Sequence, residues 1–162
     1  MSAARFASVA ELLEDARSRL SRLSPGQAVA AVRAGARLVD IRTVAQRLAA
    51  GDIPGALIVE RNHLEWRLHP TSDARVPEAV AGQRWIVVCA EGYTSSLAAD
   101  ALNSLGIPAT DLVGGFGAWV AAGLPTTPGA TPAGQTVPAG QTVPDGQTVP
   151  DGQTVPTGPT VS

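Results

Sequence analysis

Short apolar, β-prone runs alternating with segments of helical periodicity restrict this chain to a small set of folds. Residues 37–41 (RLVDI) read as a buried strand, and Trp85–Val88 is an apolar run of the same kind. Further strands are expected near 56–59 and 109–113. Between them a helix is predicted over Val44–Ala50, ending at Gly51, followed by a turn through Pro54 and Gly55. Leu64–Leu68 suits a short helical turn before Pro70. Leu97, Ala101, Leu102 and Leu105 recur at helical spacing up to Gly106, and a last short helix carries Trp119 and is closed by Gly123 and Pro125. Such alternation points to an α/β domain built on a parallel sheet.

Two capping patterns precede the first strand. Ser8 with Glu11 opens a helix on which Leu12, Leu13, Ala16, Leu20 and Leu23 share a face. Ser24, with Pro25 at the first helical position and Gln27 behind it, opens a second helix that Gly35 can close. The other end of the chain is different. From Pro132 to Val161 a six-residue unit recurs as PAGQTV, PAGQTV, PDGQTV, PDGQTV, PTGPTV. A proline in every unit deletes a backbone donor, which argues against a β-helix, and glycine at every sixth residue excludes collagen. One valine per unit cannot offset the ordering entropy, so residues 127–162 are expected to form a disordered, partly polyproline-II tail. Removing everything after Pro125 is then expected to leave the melting temperature little changed.

Charge and cysteine usage narrow the function classes. All 12 basic residues are arginine, and once Asp145 and Asp151 of the tail are set aside the acidic residues balance them. No long-range attraction for nucleic acid or an anionic membrane follows. A single cysteine excludes an internal disulfide framework, and with His63 and His69 on another segment no zinc-type spacing exists, so no metal is expected. The N-terminal region carries Glu11, Glu14 and Asp15 and lacks a continuous apolar stretch, so neither a signal peptide nor a membrane span is expected. A cytoplasmic setting is the corresponding expectation.

The one cysteine stands where an open α/β sheet collects ligands, at the carboxyl end of a strand and directly before a helix. The loop Ala90, Glu91, Gly92, Tyr93, Thr94, Ser95 can curl so that successive N–H groups converge, backed by the dipole of the following helix. A thiolate, a persulfide or an oxyanion is stabilised in such a nest. Gly92 suits a turn that needs positive φ.

Four blocks in this order resemble the rhodanese family: LVDIR at 38–42, GDIPGA at 51–56, VVCAEGYTSS at 87–96, and DLVGGFGAW at 111–119 followed by AGLP at 122–125. The resemblance implies a three-layer sandwich, with a central parallel sheet of about five strands and helices on both faces. It divides the chain into an N-terminal helical extension (1–23), a rhodanese domain (24–126) and the repeat tail (127–162). It also implies catalysis by Cys89, which would carry a sulfane sulfur as a persulfide from a thiosulfate-like anion to a thiol or other nucleophilic acceptor, with no cofactor. A protein donor or acceptor is a further partner class. Asp40 and Arg42 match the family's D-x-R pair, either as a brace or at the substrate.

Two positions depart from that pattern. Thr94 stands where the family loop often has arginine, and Asp52 replaces a histidine. Arg61 or Arg67 is expected to supply the missing charge from the neighbouring strand end. Tyr93 is a candidate for shaping the mouth of the site, Glu91 is expected to face solvent, His63 and His69 to lie at the surface, and Trp66, Trp85 and Trp119 to pack in or beside the core. Two other functions compete. One is a non-catalytic binding or sulfur-relay module. The other is a cysteine phosphatase or arsenate reductase, which would require arginine where Ser95 stands.

Overall fold

The computed structural model describes residues 2–130; the hexapeptide repeats lie outside the described residues. Helix α1 spans Val9–Arg17 and α2 Pro25–Arg33, followed by strand β1 at Arg37–Asp40, α3 at Val44–Ala50 and β2 at Leu57–Ile58. A 3-10 turn at Arg61–His63 leads into α4 at Leu64–Leu68, then β3 at Trp85–Val88, α5 at Thr94–Ser104, β4 at Ala109–Asp111 and α6 at Gly115–Ala121.

The helix starts follow from their caps. Ser8 accepts from the Glu11 N–H, while Ser24 and Thr43 each form a complete capping box with Gln27 and Gln46. Helix α1 is shorter than the leucine spacing predicts. It stops at Arg17, because Leu20 turns into the core and Leu23 forms a parallel bridge with Leu112.

The four strands are all parallel in the order β2-β1-β3-β4, with Leu38 opposite Ile86, Val39 opposite Val87 and Ile86 opposite Thr110. A fifth strand, implied by the resemblance, is reduced to the single Leu23–Leu112 bridge beside β4. Side chains alternate across a strand, so neighbouring residues feed opposite layers. Val39, Ile41, Trp85, Val87 and Cys89 pack with Leu64 and Leu68 of α4 and Ala98, Ala99 and Leu102 of α5. Leu38, Ile86 and Val88 pack with Ala28 of α2 and Phe116 and Trp119 of α6. Helix α1 lies outside this sandwich, against α5. Trp85 and Trp119 are buried as expected, but Trp66 is 63% exposed: Leu64 and Leu68, one turn apart, take the inner face of α4 and leave Trp66 on the outer one.

Two buried ion pairs hold the carboxyl end of the sheet and its neighbours. Arg47 is fully buried in α3, and its partner is Asp52, 3.4 Å away, the residue that replaces the family histidine. The chain beyond Pro125 closes over this pair. Thr127 and Asp52 exchange backbone hydrogen bonds, the Ala130 N–H donates to Asp52 Oδ2, and Arg47 donates to the Ala130 carbonyl. Residues 127–130, assigned to the tail by sequence, are therefore fastened to the domain. Asp40 and Arg42 form a buried pair at 2.6 Å, with Arg42 also donating to the Gly51 carbonyl and lying 3.8 Å over the Phe116 ring. The D-x-R pair thus braces the sheet edge.

Candidate active site

All four residues of β3 are buried, and the strand delivers Cys89 to the carboxyl edge of the sheet between β1 and β4. Gly92, at φ +85°, turns the chain back so that its N–H points at Cys89 Sγ, 3.2 Å away. The Ser95 N–H, in the first turn of α5, points at the same sulfur from 3.4 Å. Two peptide donors thus converge on one sulfur, the arrangement that favours negative charge there. The residue is only 4% exposed, so the sulfur forms the floor of the loop and not its rim.

The start of α6 supports the loop from behind. Phe116 and Gly117 donate their N–H groups to the Cys89 and Ala90 carbonyls at 2.8 and 3.1 Å. Gly114 and Gly115 adopt left-handed φ values of 73° and 60°, and a Cβ on Gly115 would overlap the Cys89 carbonyl and the Gly92 nitrogen. The paired glycines therefore permit the contact between the two segments.

A buried carboxylate fixes the side of the loop. Asp111, at the end of β4, has no solvent exposure and accepts from Arg22 Nε at 2.8 Å, Ser95 Oγ at 2.8 Å and Ser96 Oγ at 2.7 Å. Arg22 reaches on to the Gly92 carbonyl at 3.0 Å, and Arg17 of α1 donates to the same oxygen at 2.7 Å and to Ser96 Oγ at 3.1 Å. Arg17 also lies 5.7 Å from the Tyr93 ring.

The sequence-predicted loop residues are brought together, with unequal parts. Gly92 and Ser95 donate to sulfur; Ala90 is tied to α6 through its carbonyl; Glu91, Tyr93 and Thr94 are exposed. Arg61 and Arg67 stand apart: Arg61 pairs with Glu65 at 2.7 Å, and Arg67 donates to the Ala74 carbonyl at 2.7 Å. Neither forms a hydrogen bond or ion pair with the loop among the described residues. The arginines that do reach it are Arg17 and Arg22. Among the described residues the imidazole rings of His63 and His69 bond only to Asn62 and Thr71, their near neighbours. A groove of about 570 Å³ lined by Trp66, His69 and Leu105 contains no residue of the loop. Among the described residues no cluster of three His, Cys, Asp or Glu side chains could hold a metal ion, and no helix is long and apolar enough to cross a membrane.

Asp111, Arg17 and Arg22 escaped the sequence reading. A carboxylate between the last strand and the apolar Leu112-Val113 was a signal for the first, since a buried charge needs partners. Nothing local announces that arginines more than 60 residues upstream of the loop fold against it.

Comparison with known proteins converges on one family. The Rhodanese-like domain model matches residues 24–122. Among solved structures, a Rhodopseudomonas palustris protein of unknown function, described as a possible tyrosine phosphatase, is 31% identical, covering 78% of this chain and 98% of its own, with a TM-score of 0.68. A thiosulfate sulfurtransferase from Pseudomonas aeruginosa is 29% identical over 68% of this chain, with a TM-score of 0.54; the match spans 20% of that larger protein. A rhodanese-related protein from Thermoplasma volcanium, 19% identical and covering 65% of this chain and 96% of its own, has the same fold at a TM-score of 0.54. No curated protein matches significantly.

Proposed function

Since this chain belongs to the rhodanese-like domain family, we propose that it is a sulfurtransferase working through a persulfide on Cys89. The observation that carries the proposal is the pair of inward N–H groups of Gly92 and Ser95 on Cys89 Sγ. In the first half-reaction the Cys89 thiolate attacks the outer sulfur of a thiosulfate-like donor. An S–S bond forms to Cys89, the bond from outer sulfur to sulfonate sulfur breaks, and sulfite leaves with the electron pair. In the second, an acceptor thiolate attacks the outer sulfur of the persulfide, takes it as its own persulfide and returns Cys89 as thiolate. Splitting the transfer in two replaces one difficult encounter by two easier ones, and the loop amides stabilise negative sulfur in both. No step calls for a cofactor. With Cys89 almost covered, small anionic donors suit the site better than bulky ones.

Intact-mass measurement after thiosulfate treatment tests this reading. A gain of one sulfur is expected in the native chain, removed by cyanide or a thiol and absent in Cys89→Ser. No gain in the native chain leaves a binding or sulfur-relay module as the better description. The phosphatase reading draws on the printed description of the R. palustris protein. It lacks a loop arginine here, since residues 90–96 contain none. Hydrolysis of an aryl phosphate lost in Cys89→Ser would reverse that preference.

A further inference from the structure

The family match begins at residue 24, yet two residues before it, Arg17 and Arg22, both donate to the Gly92 carbonyl, at 2.7 and 3.0 Å. We infer that the N-terminal extension supplies the cationic element missing at loop position 94, with Arg17 and Arg22 as positioning residues that act through the Gly92–Tyr93 peptide on an anionic sulfur at Cys89. This rests on the sulfur-transfer reading only for what occupies the cradle.

The argument runs through one peptide plane. No described residue has a cis peptide bond, so the Tyr93 N–H points opposite to the Gly92 carbonyl. With that carbonyl held by guanidinium groups, the Tyr93 N–H faces away from the arginines. No acceptor among the described residues takes it. It lies in the chain between the two N–H groups already on Sγ, those of Gly92 and Ser95. Charged donors on a carbonyl polarise its peptide and strengthen the N–H at the other end. The two arginines therefore aim and sharpen a third donor for the outer sulfur of a persulfide.

Their charges are not equivalent. Arg22 is paired with Asp111, and Arg19, next but one to Arg17, is paired with both Asp15 and Asp100. Arg17 has no carboxylate within 4.0 Å among the described residues. Its contacts are the Gly92 carbonyl, Ser96 Oγ and the Tyr93 ring, all belonging to the loop or to the first turn of α5. Docking of α1 on α5 is already served by the Arg19 fork, so Arg17 leaves its positive charge at the loop. Arginine on a different element thus places at the loop a positive charge that residues 90–96 themselves lack.

The test reads charge at the sulfur independently of sulfur transfer. Cys89 is alkylated with iodoacetate, an anion, and with iodoacetamide, its neutral counterpart, and the ratio of the two rates is compared between variants. Access to the sulfur affects both reagents and largely cancels. Arg17→Met should lower the ratio about fivefold, the effect of removing one unit charge just beyond a peptide, while Arg17→Lys should stay within about twofold of the native value. Thiosulfate loading should follow the same order. A folded Arg17→Met chain with the native ratio overturns the inference. If no variant loads sulfur but the ratio still falls in Arg17→Met, the positioning role stands and the sulfurtransferase reading fails.

Discussion

Removing the charge of Asp111 should loosen both the fold and the loop. Its carboxylate has no solvent exposure and holds three partners from distant segments, with Arg22 at 2.8 Å and the Ser95 and Ser96 hydroxyls at 2.8 and 2.7 Å. Asp111→Asn keeps the size but places a neutral amide, with two donors of its own, among groups that are themselves donors. Breaking a buried pair by neutralising one partner costs about 3–5 kcal/mol. The Arg22 side chain is 18% exposed and can partly rehydrate, which sets the expectation at the lower end, about 3 kcal/mol. That corresponds to a fall in Tm of roughly 10–15 °C for a domain of this size. Urea unfolding should show the loss as a lower midpoint with an unchanged m-value. The double variant Asp111→Asn, Arg22→Met should recover about 1–2 kcal/mol of it, because the stranded guanidinium is gone. Sulfur loading of Cys89 should slow in the single variant, since Ser95 places one of the two N–H groups on Sγ. A loss below about 1 kcal/mol in Asp111→Asn would refute the assignment of Asp111 as the anchor of the loop.

Three further outcomes are expected. Gly115→Ala forces a side chain into a left-handed φ of 60° and into the Cys89 carbonyl, so it should cost about 2–4 kcal/mol by thermal melting and slow alkylation or sulfur loading of Cys89. Truncation after Pro125 should lower the stability by about 2 kcal/mol relative to truncation after Ala130, because it removes Thr127 and Ala130 as partners of Asp52 and one acceptor of Arg47; equal melting temperatures would discount the contribution of residues 127–130. Hydrogen bonds from Arg19 hold the Asp15 and Asp100 carboxyls below the usual carboxylate range. A depressed folded value means that this contribution is present above the unfolded value of about 4 and is lost as pH falls through the folded one. The native chain should therefore lose melting temperature more steeply than Arg19→Met below about pH 4, and parallel acid limbs would count against the fork.

Much of this protein was legible because its signals are local. Ser24-Pro25-Gln27 specified the start of α2, Gly51 marked the end of α3, and Trp85–Val88 leading into Cys89 and a glycine-bearing loop specified both the central strand and the convergence of N–H groups on sulfur. Caps, periodicity and turn glycines act within a few residues, so they survive in a one-dimensional string. Trp66 was misread because five residues of α4 are too few to show which face is inner.

Long-range charge pairing was decided only by folding. Arg61 and Arg67 lie close to the second strand in sequence, but each finds a partner within its own turn or loop, whereas Arg17 and Arg22 arrive at the Gly92 carbonyl from 75 and 70 residues away. Asp52, Thr127 and Ala130 likewise meet across a separation no local pattern encodes. The physical reason is that backbone preferences are short-ranged, while a buried charge accepts any partner that packing brings within hydrogen-bond reach. The sequence by itself determined the parallel sheet and the cysteine at its edge; the tertiary structure decided which cations attend the loop after that cysteine and how residues 127–130 attach to the domain.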